Sequence, residues 1–243
     1  MCGACPCDPT LQLRRMCTRY ISPEAGDIER HWKVGARQPT GWVRDVFPRY
    51  QGPFIRAARD CTEYQRELVV GQWALVPWFA KTPKLPYLTC NARSEELQAK
   101  ASYKLPWARG QRCIIPAQAF FEPNWESGRH VPWCFRRRDG APWGLAGLWN
   151  TWVDKATGEV VESYTMLTIN ADAHPLMRRM HKPDPKLGPE QQDKRSVVPI
   201  EAEDVDTWLC APVTQAAQLV RLAPEPLFEA APQLPPPGPT AAG

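Results

Sequence analysis

The sequence has few histidines and no long apolar run. Four histidines occur in 243 residues, so a histidine-dependent reaction has few candidate residues. No stretch is apolar for long enough to span a bilayer, and the N-terminus lacks the apolar core of a secretory signal. These absences argue against a membrane-spanning or secreted protein and predict a cytoplasmic one.

Several common catalytic motifs are also missing. The chain has no glycine-rich phosphate loop, no H-E-x-x-H and no G-x-S-x-G. Nine cysteines without a secretory signal predict free thiols rather than a disulfide framework. Cys2, Cys5 and Cys7 could approach a soft metal, but a structural zinc needs four ligands and no histidine is near. We therefore predict no metal and no cofactor.

Proline and tryptophan, in contrast, are abundant. Twenty-seven prolines argue against a helical bundle, and short apolar runs between loops predict a single α+β domain. The net charge of +4 permits nucleic-acid binding without demanding it. We predict a disordered leader or mis-called start over residues 1–15, a domain over 16–222 and a disordered Pro/Ala-rich tail over 223–243.

Local patterns place a few elements. Ser22 followed by Pro23 predicts the start of a helix. The Asp139-Gly140 pair predicts the turn of a hairpin spanning residues 133–152. The run RCIIPAQAFFEPNW predicts a buried strand followed by a turn at Glu122-Pro123.

Isolated residues give weak functional signals. Glu122 follows an apolar run, so it is either a half-buried carboxyl with a raised pKa or a satisfied turn residue. His181 lies in a basic loop typical of a surface histidine. Asn91 could cap a helix, and Arg93 could be solvated. Taken singly, none of these residues specifies a reaction.

Taken together, an ordered series of segments resembles one family. The segments are MCTRY, WALVPWFAK, NARSE, RCIIPAQAFFEPNW, AGLW, and TINADAHPLMRRMHKP with DKRSVVPI. From Met16 to about Leu209 they resemble the SOS response-associated peptidase (SRAP) family, the abasic-site processing proteins. The resemblance implies a curved, partly barrel-like antiparallel sheet with a few flanking helices.

The resemblance also implies a reaction. Family members expose a cysteine as the first residue after methionine removal, so one residue carries both a free α-amine and a thiol. The amine condenses with the aldehyde of an abasic site in single-stranded DNA, and the thiol closes a thiazolidine ring. Since an α-amine has a pKa of about 7.7 to 8.0, part of it is neutral and nucleophilic at cellular pH.

Two cysteines compete for this role. Cys2 lies in MCGA, but Ala4 stands where the family has arginine. Cys17 lies in MCTRY with Arg19 at that position, and the following segment fits the family. We therefore favour Cys17, which requires translation from Met16 or removal of residues 1 to 16.

The remaining site residues follow from the same resemblance. Asn91 would orient the catalytic cysteine, and Glu122 would shuttle protons during ring opening and Schiff-base formation. His181 would assist ring opening and reversal, with His174 as the alternative histidine. The sequence after His181 is longer than the family pattern, so the family arginine is assigned to Arg195 or Lys194.

The DNA contacts are predicted from the same motifs. Arg19, Arg93 and Arg195 would hold phosphates or the opened sugar. Trp73, Pro77 and Trp78 would stack or wedge at the lesion, although Trp73 is equally suited to core packing.

The predicted function is therefore an abasic-site sensor of the DNA damage response. It would crosslink covalently to single-stranded DNA, with hydrolase or lyase-like and self-processing activity, as a monomer associated with the nucleoid and not with a membrane. A cysteine peptidase using Cys17 and His181 is the first alternative. A plain single-strand-binding module with a structural cysteine is the second.

Overall fold

The computed structural model describes residues 17–34, 41–59 and 63–233. The predicted leader and the cysteines at positions 2, 5 and 7 lie outside the described residues. The strands are β1 (Tyr20–Ile21), β2 (Asp45–Val46), β3 (Gln51–Ala57), β4 (Arg66–Trp73), β5 (Asn91–Arg93), β6 (Arg112–Ala117), β7 (Ala119–Asn124), β8 (Val131–Arg137), β9 (Trp143–Val153), β10 (Val160–Asn170), β11 (Arg195–Val197) and β12 (Phe228–Pro232).

Helices are short and few in the described part of the chain. The α-helices are α1 (Ala25–Trp32), α2 (Ala101–Ala108), α3 (Val205–Cys210) and α4 (Val213–Ala216), and five single turns of 3-10 helix occur at Ser94–Glu96, Met177–Arg179, Ala202–Asp204, Ala217–Leu219 and Glu225–Leu227. None of these helices is long and apolar enough to cross a membrane. The first helix begins at Ala25, two residues after the predicted start, with Glu24 at its N-cap.

One sheet closes on itself. Its strands run in the order β10-β4-β3-β6-β9, and β9 pairs again with β10, so these five strands form a small barrel. Pairing is antiparallel except where β4 and β5 run parallel to β10. A second sheet, in the order β12-β8-β7-β1-β2, packs beside it. The predicted α+β fold with a curved, barrel-like sheet is confirmed.

Alternation along the barrel strands divides the core in two. On β3, Phe54 faces the cluster between the two sheets and Ile55 faces the helices. On β6, Ile115 and Ile114 divide in the same way. Because side chains alternate between the faces of a strand, both sides of the barrel wall must be apolar. The near-continuous apolar runs of the sequence follow from this arrangement.

A pair of glycines lets the barrel wall approach its neighbours. Gly52 and Gly71 pair across β3 and β4. A Cβ at Gly71 would lie 2.7 Å from the carbonyl oxygen of Glu162, and one at Gly52 would lie 2.5 Å from the hydroxyl of Tyr20. Side chains at these positions would therefore collide with Glu162 and Tyr20.

Two predictions about the second half of the chain are wrong. Gly140 has a φ of 77°, so the turn exists, but β8 and β9 on either side of it join different sheets and form no hairpin. The tail is not disordered from residue 223, because β12 pairs with β8 and Phe228 is buried in the core. Residues 234–243 lie outside the described residues.

Candidate active site

Glu122 lies within a strand rather than at a turn. It pairs with Trp133 across β7 and β8, and its neighbour Phe120 pairs with Tyr20 of β1. Since side chains two apart point the same way, the buried Phe120 and Glu122 share the inward face. The predicted turn at this position is wrong. The side chain of Glu122 is 1% exposed.

His181 is held directly against this carboxyl group. Its Nε2 lies 2.9 Å from Oε2 of Glu122, and its backbone N–H donates to the carbonyl of Pro123 at 2.6 Å. Lys194 Nζ donates to the carbonyls of Met180 and His181 at 2.7 Å each. These bonds fix the loop against the C-terminal part of β7, beyond the two residues that pair with β1. They make His181 a buried residue, not the surface residue its loop suggested.

The backbone of His181 is strained. Its φ of 63° lies in the left-handed region, which is costly for residues other than glycine. Such strain persists only where surrounding contacts hold it, and it concentrates at functional sites. Here the Pro123 and Lys194 bonds supply those contacts.

Burial sets the acidity of the pair. The pKa of Glu122 is raised from its ordinary value because burial disfavours the carboxylate, although the charge and hydrogen bond of His181 oppose this. Among the described residues, Nδ1 of His181 is buried without a hydrogen-bond partner. The carboxyl group can therefore hold a proton at a higher pH than an exposed glutamic acid.

Cys17 lies beside this pair and is fully buried. Asn91 Nδ2 donates to its carbonyl oxygen at 2.7 Å, and its thiol lies 3.5 Å from the carbonyl of Arg19. Burial is the main reason that the pKa of the Cys17 thiol is raised well above its usual range, and the negative charge of Glu122 raises it further. This shift favours the thiol over the thiolate.

His174, the alternative histidine, has a structural role in this geometry. Its Nδ1 accepts hydrogen bonds from the backbone N–H groups of Leu176 and Met177, at 3.2 and 3.1 Å. Nε2 then donates to the carbonyl of Ala223 at 2.9 Å. Both ring nitrogens are occupied, so the geometry favours His181 as the histidine of the site.

The predicted phosphate-binding arginines differ in accessibility. Arg19 pairs with Asp45 at 2.7 Å and lies over the Phe121 ring, and Arg93 pairs with Asp193 at 2.5 Å. Both side chains remain partly exposed.

Arg195, in contrast, is 2% exposed. It pairs with Glu95 and donates to the carbonyl of Thr168. Because the side chain is buried in the protein, it offers little surface to a phosphate in this structure. Lys194, the alternative, is also buried.

The three residues predicted to stack or wedge at the lesion also differ in exposure. Trp73 is fully buried and donates its Nε1–H to the carbonyl of Cys90 at 2.8 Å, so it belongs to the core and cannot stack on a base. Pro77 is buried as well. Trp78 is 64% exposed, with the ring of Phe79 5.7 Å away. Only Trp78 of the three is available for stacking in this structure.

Sequence reasoning missed a second pair of exposed rings. Phe47 and Tyr50 are 37% and 50% exposed, with their ring centroids 5.6 Å apart. Arg49 links their loop to the Trp78 loop by donating to the carbonyl of Leu85 at 2.7 Å. The clustered aromatics of VFPRY were the available signal. We call Phe47, Tyr50, Trp78 and Phe79 the aromatic face.

Metal-ligating residues do not cluster in the part of the chain that the structure describes. Within residues 17–34, 41–59 and 63–233, no group of three or more His, Cys, Asp or Glu side chains could hold a metal ion.

The site combines a buried cysteine, asparagine, glutamate and histidine on a barrel that packs beside a second sheet. Comparison with known protein families identifies the class of protein that has this arrangement. The family model for SOS response associated peptidase (SRAP) matches residues 16–232. The chain belongs to the SRAP family.

Solved structures agree with this assignment. A crystal structure of a Bordetella bronchiseptica protein is 35% identical with a TM-score of 0.79, and the match covers 90% of this chain and all of that one. A Bacteroides thetaiotaomicron protein, 21% identical with a TM-score of 0.67 over 88% of this chain and 90% of that one, shares the fold.

Curated relatives carry a functional name. The abasic site processing protein HMCES of Xenopus tropicalis is 26% identical over 213 residues, covering 77% of this chain and 62% of that protein. The abasic site processing protein YoaM of Bacillus subtilis is 29% identical over 129 residues, covering 53% and 55%. The chain thus matches little more than half of these relatives' lengths.

Proposed function

We propose that this protein processes abasic sites by forming a covalent thiazolidine crosslink between Cys17 and single-stranded DNA. The names of the curated relatives support abasic sites as the substrate. One observation supports the chemistry above all others. Asn91 holds the backbone of Cys17 beside the buried Glu122–His181 pair, with the thiol protonated and the carboxyl group shifted toward its acid form.

The reaction needs a proton donor and a proton acceptor at successive steps. The abasic sugar opens to an aldehyde when its ring oxygen gains a proton and its hydroxyl loses one, and Glu122 can serve both transfers. The α-amine of Cys17 then attacks the aldehyde carbon. Protonation of the resulting hydroxyl group releases one water and leaves an iminium ion.

Ring closure completes the crosslink. The Cys17 sulfur attacks the iminium carbon, and the thiol proton leaves to the Glu122 carboxylate. Overall, protein and DNA combine with the loss of one water. The α-amine must be free, because the nitrogen of an internal cysteine is an amide and cannot form the iminium.

His181 positions the proton carrier in this scheme. Its hydrogen bond fixes one orientation of the Glu122 carboxyl group, and its charge stabilises the carboxylate when the proton leaves. Arg19 and Arg93 are the partly exposed cations near the site that can meet phosphates. The aromatic face offers rings on which unpaired bases can stack.

The peptidase alternative fits the geometry less well. A cysteine peptidase needs a thiolate, which forms when an adjacent imidazole takes the proton. In this site the hydrogen bond of His181 Nε2 goes to Glu122, and burial keeps the Cys17 thiol protonated. A plain binding module would have no use for the buried carboxyl–imidazole pair.

Intact-mass measurement tests the proposal. Protein that begins at Cys17 is mixed with single-stranded DNA containing one abasic site, and we expect a mass gain equal to the oligonucleotide minus one water. Protein with an acetylated α-amine is the matched control. It should give no adduct, whereas a thiol-only peptidase would keep its activity and a simple binder its affinity. An adduct that survives acetylation would refute the aminothiol mechanism.

A further inference from the structure

A cavity of about 540 Å³ opens next to His181. The long segment after this histidine forms most of its wall, and the turn after β7 and the turn before His181 close the rest. The residues that line it are Trp125, Glu126, Arg178, Arg179, His181, Pro183, Asp184, Pro185, Leu187, Pro189, Gln192 and Lys194.

The side chain of Gln192 bridges the backbone of the segment that follows His181. Gln192 accepts a hydrogen bond from the backbone N–H of Asp184 at 2.7 Å, and it donates to the carbonyls of Leu187 and Gly188 at 2.9 and 3.0 Å. At its two ends, Lys194 and His181 are buried and tied to each other. The cavity therefore has a fixed wall, as preformed ligand sites do.

The cavity carries unused hydrogen-bond donors. Arg179 is neutralised by Glu126 at 2.9 Å, but the exposed Arg178 pairs with no carboxylate in residues 17–34, 41–59 and 63–233. Over the same ranges, Nε1 of Trp125 is buried without an acceptor. A guanidinium group and an indole N–H are thus available to a ligand with acceptor oxygens.

Part of the remaining lining is apolar, and two carboxylates, Glu126 and Asp184, also line the cavity. Pro183, Pro185, Pro189 and Leu187 line the wall, and Leu187 is 41% exposed. A flat apolar group with an attached anion matches this combination, because the guanidinium fork binds phosphate oxygens and the apolar wall packs against a ring. Single-strand-binding proteins combine cationic and apolar contacts in the same way.

We propose that this cavity binds the nucleotide next to the lesion, with its phosphate on Arg178 and its base against the proline-rich wall. This inference rests on the proposed function, since it assigns one neighbour of the abasic nucleotide to a pocket that shares His181 with the site. It gives the extended segment a role in positioning the strand.

Binding of a non-reactive substrate tests it. The full-length chain is titrated with single-stranded DNA that contains a tetrahydrofuran abasic analogue, which has no aldehyde and reports affinity alone. Two shortened oligonucleotides end at the analogue and lack either the 5′ or the 3′ neighbour. We expect Arg178→Ala to weaken binding of the long strand about tenfold and to have no effect on one of the shortened strands. Leu187→Asp, which adds a third carboxylate to Glu126 and Asp184 in the cavity, should act in the same direction.

Controls separate this effect from general loss of charge. Arg109→Ala removes an exposed arginine outside the cavity and should leave affinity nearly unchanged, while Arg178→Lys should retain most of it. Equal effects of Arg178→Ala and Arg109→Ala, or an Arg178→Ala effect that is the same on all three strands, would overturn the subsite. Normal Arg178 dependence with no crosslink to abasic DNA would instead refute the proposed chemistry and leave the subsite standing.

Discussion

Two clusters of ionisable side chains are built differently. In one, Arg195 meets Glu95 at 2.7 Å and Asp193 at 3.2 Å, and the side chains of these carboxylates are 47% and 28% exposed. In the other, Glu122 and His181 are 1% and 2% exposed and have only each other as ionisable hydrogen-bond partners among the described residues. In the first cluster the arginine is paired with two carboxylates, whereas in the second the carboxyl group has only a histidine partner.

The acidity of the carboxyl groups follows the same division. Burial acts to raise the pKa of Glu95, but the hydrogen bond from Arg195 and further hydrogen bonds outweigh it, and the pKa is lowered. Burial raises the pKa of Glu122 despite His181. A carboxylate held in its charged form stabilises a fold, whereas one pushed toward its acid form can exchange a proton. We therefore expect the first cluster to act in stability and the second in proton transfer.

Removing the thiol should have the largest effect. Cys17→Ala, in protein that begins at residue 17, should abolish the DNA adduct in the intact-mass assay, because no ring can close and a bare imine reverses in water. Cys210→Ala, which changes an exposed cysteine in α3, should leave adduct formation unchanged. A stable adduct on Cys17→Ala would remove Cys17 from the reaction.

Removing the titrating carboxyl group should slow the reaction next most. Glu122→Gln keeps a hydrogen-bonding group near His181 but cannot transfer protons, so we expect crosslinking to slow by about 10² to 10⁴-fold. Single-turnover kinetics followed by denaturing gel would measure this. A rate within threefold of the parent would mean that Glu122 is only structural.

The same variant should change the pH dependence of stability. The folded pKa of Glu122 lies above its ordinary value of 4.5, so the folded state binds this proton more tightly than the unfolded state. The resulting stability is complete below pH 4.5 and is lost as pH rises through the folded pKa. Glu122→Gln should therefore melt at a higher temperature than the parent at neutral pH, and the difference should shrink in acid. An opposite sign would show that His181 holds the carboxylate in its charged form.

Breaking the satisfied cluster should affect stability but not chemistry. Arg195→Ala leaves Glu95 without its arginine partner, while Asp193 keeps its pair with Arg93, and we expect the variant to lower the free energy of unfolding by about 2–3 kcal/mol. Urea denaturation measures this, with Arg109→Ala as the control. Crosslinking per folded molecule should stay within threefold of the parent; a larger loss would mean that the two clusters are coupled.

The smallest expected effect concerns the aromatic face. Trp78→Ala should weaken binding of single-stranded DNA several-fold, since one base–aromatic stack contributes about 1–3 kcal/mol at most. Its exposed side chain makes little core contact, so the melting temperature should not change. Trp73→Phe offers the contrast, because it loses the bond to the carbonyl of Cys90 and should reduce stability with little direct effect on affinity.

Residue patterns predicted a single α+β domain and the family resemblance predicted its barrel-like sheet, but elements whose partners are far away were misjudged. Pro123 suggested a turn, yet it pairs with Pro132 inside the β7–β8 ladder. Proline lacks the N–H that most strand residues donate, but the carbonyl of Pro123 still accepts the N–H of His181. Continuing the alternation of Phe120 through Glu122 would have predicted the strand.

Other unexpected features have the same cause. His181 and Arg195 both lie in basic, polar segments, and only partners 59 and 100 residues away make them buried. The segment PEPLFEAAP has the composition of a disordered tail. It becomes a strand because β8 offers an open edge and the core accepts Phe228. Local composition cannot report such distant partners.

The position of β1 has a consequence for the order in which the molecule matures. This strand lies between β7 and β2, so it pairs with segments made later during synthesis. Cys17 is translated before Asn91, Glu122 and His181, and the proposed site is complete only after residue 181 has emerged from the ribosome. A nascent chain therefore carries Cys17 without the carboxyl and imidazole groups that surround it in the folded protein. Full reactivity toward DNA should arise late, after most of the chain has been made and folded.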